Sequence, residues 1–586
     1  MKSARLFIIA LLIVVTTALG RSGTAASTPE PVVLNTNAST DIGSDRLPQL
    51  ATDGVGTWVA VWHSNDSLDG TIGTDNDILV SRSVNNGTTW SAPAALNTNA
   101  ATDTGNDSNP QVTTDGSGNW VAVWHSGDSL GGTIGTDNDI LVSRSTNGGS
   151  TWTAPAALND NAATDTGSDV NPQVTTDGAG VWMAVWQSTE NLGGTIGTDN
   201  DILISTSVNS GAAWTTPVAL NTNATTDTGG DLSPQVTTDG SGNWVAAWFS
   251  NDTLGATIGA DNDILISRSV NNGTTWTAPV ALNTNAATDT GGDQNPQVTT
   301  DSVGNWVAVW YSNDSLGGTI GTDNDILISR STNNGAAWTA PVALNTNAAT
   351  DTGHDFNPQV TTDGSGNWAA AWDSTDTLSG WIGTDSDVLA ARSTNNGANW
   401  TDPIPLNTNA DTDSGGDFNP QVTTDGSGNW TSVWDSNDDL GGTIDMDYDI
   451  LYTTCSLLDS DCDEVPDATD NCPQWPNQGQ SLPPWTIPAD DPDCDSFGST
   501  TEKFIGTLHY AACPNTSVPD DETDAWAPDF NDDKTVNVVD IGELRPVFGS
   551  VSGDGTYDAR ADLNMDGYIN IVDVGTLRPY FNLSCT

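Results

Sequence analysis

Residues Asp115-Gly-Ser-Gly-Asn-Trp-Val-Ala-Val-Trp-His125 set a tight turn against an apolar run, and the leading Trp of that run returns at Trp58, Trp120, Trp182, Trp244, Trp306, Trp368 and Trp430, a spacing of 62 residues. A period of that size marks a repeat architecture, in which each unit buries its faces only by stacking on its neighbours. The second copy holds four apolar runs, Pro110–Thr114, Trp120–His125, Asp139–Arg144 and Thr153–Leu158, separated by Asp, Asn, Gly and Thr. The alternation in Trp120–Trp124 and Ile140–Arg144, with turn residues between, predicts strands. Four strands per unit make a β-propeller blade. Copy seven stops at Ile450–Thr454 without a fourth strand, while Pro31–Asn35 is an orphan fourth strand matching Pro93–Asn97. The expected fold is therefore all-β: a seven-bladed propeller over residues 31–455, closed by its N-terminal strand so that no sheet edge stays open, and followed by small calcium-loop modules.

Between strands three and four stands Ser83-Val-Asn-Asn-Gly-Thr-Thr-Trp90, repeated at Ser145–Trp152, Ser207–Trp214, Ser269–Trp276, Ser331–Trp338 and Ser393–Trp400. The motif resembles the Asp-box of the sialidase (neuraminidase, BNR-repeat) superfamily, S-x-D-x-G-x-T-W, with Asn in place of Asp throughout. It specifies a fold element and says little about activity. Its structural reading is a turn closed by side-chain-to-backbone bonds, with Gly at the strained position and Trp packed into the blade. All but four of the 24 Trp residues occupy repeat positions, so the aromatic content is mainly core.

Residues 1–26 combine Lys2, Arg5, the apolar stretch Leu6–Val15 and small residues ending at Ala26, the pattern of a signal peptide. No other run approaches the roughly 20 apolar residues needed to span a bilayer. The expected location is extracellular, secreted or cell-surface associated. All six Cys follow the propeller, an even number that allows up to three disulfides whose pairing the spacing leaves open. The net charge of −62 comes mostly from Asp, with Glu190 the single Glu and no Lys between residues 31 and 455. Such a field excludes nucleic acid and anionic membranes as partners.

From residue 459, carboxylates and other oxygen ligands fall at the first, third, fifth, ninth and twelfth places of 12-residue loops, the spacing that wraps one Ca²⁺. Asp459, Asp461, Asp463, Asp467 and Asp470, followed by Asn471-Cys-Pro473, resemble a thrombospondin type 3 repeat. A second, EF-hand-like loop offers Asp491, Asp493, Asp495, Ser499 and Glu502, and these two loops lie in the linker region 456–528. The last pair is Asp529, Asn531, Asp533, Asn537 and Asp540, then Asp562, Asn564, Asp566, Asn570 and Asp573. With helix starts at Asp540–Arg545 and Asp573–Arg578, residues 529–582 resemble a type I dockerin, which implies Ca²⁺ as cofactor and a cohesin-like or cell-surface protein as partner. Gly567 sits at the sharp-turn place of the last loop, where the first carries Lys534. Loop places ten and eleven, where many dockerins carry Ser or Thr for cohesin, are Val538-Val539 and Ile571-Val572.

Among copies so alike, two columns diverge. One precedes strand one: Arg46, Ser108, Val170, Leu232, Gln294, Phe356 and Phe418. The other follows strand two: His63, His125, Gln187, Phe249, Tyr311, Asp373 and Asp435. A hairpin brings them to the same end of each blade, where they ring one face of the propeller as candidate ligand-binding residues. Arg46-Leu-Pro-Gln-Leu50 resembles the R-I-P motif that opens sialidase domains, whose Arg binds the sugar carboxylate. The further Arg residues, the Tyr–Glu nucleophile pair and the Asp acid/base of that family find no match, since Arg82, Arg144, Arg268, Arg330 and Arg392 share one place beside the Asp-box. Asp373 and Asp435, copies of one position in adjacent blades, are the carboxylate pair that a two-Asp glycoside hydrolase would use. The expectation is a non-catalytic propeller that binds glycan or protein, carried on the Ca²⁺-loaded tail, with a secreted glycoside hydrolase, sialidase-like or two-Asp, as the competing reading. The acidic loops Asp66–Asp77 and their copies could bind Ca²⁺ but match no named ligand spacing; because the blades bury Trp-rich strands while the tail has little apolar material beyond its loops, the propeller is expected to fold without Ca²⁺ and the tail to need it.

Overall fold

The computed structural model describes residues 31–378, 382–407, 409–410, 413–426, 428–456, 528–530, 536, 538–552 and 557–577. Blade one consists of Asp45–Thr52, Trp58–Ser64, Asp77–Ser83 and Ala94–Ala95, joined in that order as an antiparallel sheet, and blades two to six repeat it. Blade seven takes Asp417–Thr424, Asn429–Ser436 and Asp449–Ser456 from its own copy and Val32–Val33 as its fourth strand, with Val32 opposite Tyr452 and Val33 opposite Leu451. First strands of successive blades touch all the way round, the first and seventh included, so the expected ring is closed and its innermost layer is strand one.

Strand two is buried on both faces because a blade is covered by its neighbours on both sides. Trp120, Ala122 and Trp124 of blade two pack against Val59, Val61, Ile78 and Leu96 of blade one, while Val121, Val123 and Ile140 pack against Trp182, Ala184 and Trp186 of blade three. The last interface sets Trp62 and Ala60 against Leu34, Val433, Ile450 and Tyr452. Large residues on one face meet branched ones on the next, which fills the wedge between blades at near-crystalline density.

Two elements differ from the sequence expectation. Strand one begins three residues earlier, at Asp107 rather than Pro110, because its ladder runs through a bulge between Ser108 and Gln111. Pro110 lacks a donor, and a bulge is one of the few places where a strand interior accommodates it. The residue before it adopts φ of +52° at Asn109, and Asn suits that left-handed conformation; five of the seven copies carry Asn there. Strand four shrinks to Ala156–Ala157, since Pro155 ends the donor supply on one side and Asn159 turns away on the other. The Asp-box turns form as expected: the Ser83 hydroxyl accepts from Gly87 N at 3.0 Å, and Asn85 Oδ1 accepts from Thr89 N at 3.1 Å. Asn therefore closes this turn as an Asp would, without the charge.

In the C-terminal module, the helices Val538–Glu543 and Ile571–Thr576 start two residues before the expected Asp540 and Asp573, which places each twelfth-position Asp inside a first turn. Val536, Leu544, Ala561, Leu563, Ile569 and Leu577 form a small core of its own. The expected signal peptide, the loops Asp459–Asp470 and Asp491–Glu502, and Asn531, Asp533 and Asn537 lie outside the described residues, as do the Cys side chains.

Candidate functional site: the ring face and the acidic loops

The register pairs the two variable columns residue for residue: Arg46 with His63, Ser108 with His125, Val170 with Gln187, Leu232 with Phe249, Gln294 with Tyr311, Phe356 with Asp373, and Phe418 with Asp435. Just inside them, the bulged triplets Leu47-Pro48-Gln49 and their six copies line a central cavity of about 300 Å³. The bulge residues link round the ring, Asn109 to Asn171 at 2.5 Å, Asn295 to Asn357 at 3.1 Å and Asn357 to Asn419 at 3.2 Å. Sequence reasoning passed over these Asn residues, although an Asn before Pro in five copies is the available signal.

The second column divides by chemistry. Gln187 Oε1 accepts from Asn171 Nδ2 at 3.1 Å and from Ser233 N of the next blade at 2.9 Å. Asp373 Oδ1 does the same with Asn357 Nδ2 at 3.0 Å and Asn419 N at 3.2 Å, and Asp435 Oδ1 with Asn419 Nδ2 at 3.0 Å and Leu47 N at 3.2 Å. These three acceptors tie each blade to its successor. Asp373 is only 3% exposed and Asp435 fully buried.

The same face also carries aromatic side chains and Arg46. The Arg46 guanidinium lies 3.9 Å over the Tyr448 ring and 3.3 Å from Asp435 Oδ2, and Phe418 packs on Tyr448 with ring centroids 6.3 Å apart. On the preceding blades five and six, Tyr311 donates to Gln294 at 2.8 Å and meets Phe356 edge-on at 5.2 Å, while His354 stacks on Phe356. Burial, then Arg46, lowers His63 to about 4, and burial lowers His125 to about 4, so both imidazoles are neutral at pH 7.

Burial pushes Asp373 up to about 7, against the bonds from Asn357 and Asn419, with Asp435 adding repulsion; burial likewise holds Asp435 at about 6 despite Asn419 and Arg46. A carboxyl whose folded pKa exceeds its unfolded value near 3.8 binds more protons when folded, so its contribution to stability is fullest below the unfolded value and is lost as pH rises through the folded one. Asp373→Asn keeps the accepting oxygen without the charge. It is expected to raise stability more at pH 8 than at pH 5, the two gains differing by on the order of 1–3 kcal/mol, read by urea unfolding at both pH values. Equal losses at both would show that the ionised carboxylate itself is required.

Acidic side chains gather a second time, where the long loops of one blade meet the next. Asp75, Asp77 and Asp103 bring carboxylate oxygens within 4.8 Å of one another, as do Asp137, Asp139 and Asp165, and seven such groups occur among the described residues. Burial first, then neighbouring carboxylates against the bond from Asn97, raises Asp77 to about 7, and burial with Asp75 and Asp128 raises Asp103 to about 6. These clusters can hold a metal ion. In the C-terminal module Asp562 Oδ2 accepts from Gly567 N at 2.8 Å and from Tyr557 Oη at 2.6 Å, and Asp573 Oδ2 accepts from Asn570 N at 2.8 Å. Asp573 Oδ1, on a fully buried side chain, has no hydrogen-bond partner. Gly567 at φ +79° makes the sharp turn of the loop that carries Asp562, Asn564, Asp566, Asn570 and Asp573.

Residues 527–582 match the model of the dockerin type I domain. No curated protein matches the chain. Structural neighbours of the propeller are sialidases and related propeller enzymes. One is a Hadza microbial sialidase (16% identity, covering 58% of this chain and 66% of that one, TM-score 0.36). Another is the NanB sialidase of Streptococcus pneumoniae (13%, 73% and 70%, 0.36). A third is an ulvan lyase (11%, 73% and 94%, 0.43). Dockerin domains bind calcium and cohesins, and proteins that carry them are typically secreted or attached to a cell surface. Among the described residues no helix is long and apolar enough to cross a membrane.

Proposed function

We propose that the chain is a secreted, non-catalytic binding protein whose propeller takes a glycan on its ring face and whose tail fastens it to a cohesin-like partner. The observation that carries this reading is the use made of the only two carboxylates in the variable columns. Asp373 and Asp435 are buried, and each spends one oxygen on the backbone N–H of the next blade. General acid/base work at a glycosidic bond needs carboxyl groups on either side of an accessible sugar, and this pair stands under the ring instead. What stays partly exposed is Tyr311, Phe356, Phe418 and Tyr448 with Arg46. Aromatic faces stack on the apolar faces of sugar rings, and an Arg fork donates to hydroxyl or carboxylate oxygens.

On the tail, loop places ten and eleven present Val539, Ile571 and Val572, which are 47%, 71% and 53% exposed. A partner surface that covers them is apolar, unlike one built for Ser or Thr. The full chain with Ca²⁺ is expected to retain one class of neutral or uronic polysaccharide on a glycan array, with Arg46→Ala weakening retention at least about tenfold. The same protein is expected to turn over no member of a panel of sialosides and neutral polysaccharides. Turnover abolished by Asp373→Asn or Asp435→Asn would establish the two-Asp hydrolase in its place.

A further inference from the structure

The acidic groups of Asp75, Asp137, Asp199, Asp261 and Asp41 sit at junctions between blades and contain more than carboxylates in proximity. At the first junction Asp77 is fully buried, its Oδ1 accepts from Asn97 Nδ2 at 2.7 Å, and its Oδ2 has no hydrogen-bond partner. Asp75 Oδ2 and Asp103 Oδ1 are likewise buried and without a donor. So is a neutral oxygen, Asn99 Oδ1, whose orientation is set because Asn99 Nδ2 donates to Asp103 at 2.8 Å and to Asp128 at 2.8 Å. The same buried, unpartnered oxygen recurs on Asp139, Asp201, Asp263, Asp325 and Asp449, every one of them fully buried. An isolated orphan costs stability and is found in ones and twos in native proteins, whereas here it recurs round the ring with its neighbours.

Among the described residues no ion pair with a side-chain cation reaches these groups. The propeller has no Lys, and its repeated Arg residues are engaged at the opposite end, where Arg82 Nε donates to Gly148 O at 2.6 Å and Arg144 Nε to Ser210 O at 2.6 Å. Three carboxylates and an amide oxygen make the many-oxygen protein cage that Ca²⁺ takes, whereas Mg²⁺ keeps several waters and is held by one or two carboxylates. A donor set without nitrogen or sulfur does not suit zinc.

We infer that each blade junction holds one Ca²⁺, bound at the first junction by Asp75, Asp77, Asn99 and Asp103 and at the others by their copies. Linear spacing hides the site because its ligands come from two loops separated by strands three and four. At the seventh junction the copies are Asp447, Asp449, Asn37 and Asp41, and Asp45, the copy of Asp107, joins Asp41 and Asp449 within 4.8 Å, with Asn35 donating to Asp45 at 2.8 Å and to Asp449 at 2.6 Å. That ion joins the two ends of the propeller chain and fastens the ring shut. The expectation that the propeller folds independently of Ca²⁺ gives way to a ring that is loosened by chelation.

The test uses the full chain stripped with EDTA and titrated with CaCl₂, with bound metal counted by elemental analysis after equilibrium dialysis. Bound Ca²⁺ is expected to exceed the four ions that the C-terminal loops account for by about seven. The melting transition followed by Trp emission, which reports the blades, is expected to rise by at least about 10 °C. Asp77→Asn/Asp139→Asn/Asp201→Asn keeps the oxygens that Asn97 and its copies bond. This variant is expected to bind about three fewer ions, to melt higher than the parent in EDTA, and to gain less from Ca²⁺. A total of about four ions, an unmoved Trp transition, or an unchanged count in the triple variant would each overturn the inference. None of these outcomes bears on glycan binding at the ring face, which is measured separately.

Discussion

Asn35→Ala is expected to destabilise the propeller by about 3–5 kcal/mol, among the largest effects of any single substitution outside the Trp core. Asn35 is fully buried; its amide nitrogen bridges Asp45 and Asp449, and its Oδ1 accepts from Ile450 N at 2.9 Å. Truncation leaves two carboxylates facing each other with no donor between them and an amide N–H with no acceptor. Asn97 makes the same bonds to Asp77 and Asp107 at a junction where the chain is continuous. Urea unfolding followed by Trp emission should therefore show Asn97→Ala close to Asn35→Ala in free energy, with Asn35→Ala alone exposing residues 31–36 to protease before global unfolding. Two variants with identical protease profiles would mean that the N-terminal strand is held by its hydrophobic contacts, Leu34 above all.

Asp562→Ala is expected to weaken the tightest Ca²⁺ site of the C-terminal module by at least about 100-fold and to leave the helix Ile571–Thr576 unformed at Ca²⁺ concentrations that fold the parent. Asp562 is fully buried, and its two oxygens collect the backbone N–H groups of Asp566 and Gly567 and the Tyr557 hydroxyl, so it organises the loop as well as offering a ligand. The first loop carries Lys534 where the last has Gly567. A side chain at that turn meets the strain that glycine avoids, and its ammonium repels the ion. Occupancy is expected to be sequential, last loop first. Calorimetric titration of residues 526–586 decides the order: a variant that retained the high-affinity step, with Asp529→Ala losing it, would reverse the assignment.

The sequence carried whatever repeats or lies within a dozen residues. Trp58 and its six copies fixed the blade count, Pro31–Asn35 announced the closing strand, and the Asp-box announced its own turn, because periodic burial and turn chemistry are local demands on the chain. The turn of the last loop was legible for the same reason, since its candidate ligands and Gly567 all fall inside Asp562–Asp573. Divergence between copies found the two columns, and the register that pairs them follows from the hairpin they share.

Tertiary structure decided what those columns do. Asp373 and Gln187 differ in charge yet play one part, because the N–H they accept from lies 46 residues on, in the next blade, where the bulge at Asn419 or Ser233 turns it inward. No local pattern encodes that meeting: it depends on the stagger of adjacent blades and on a left-handed residue before Pro. The junction clusters were hidden likewise. Asp75 and Asp77 belong to one loop and Asn99 and Asp103 to another, and only the stacking of Trp124 against Val61 sets the distance between blades that brings their oxygens together.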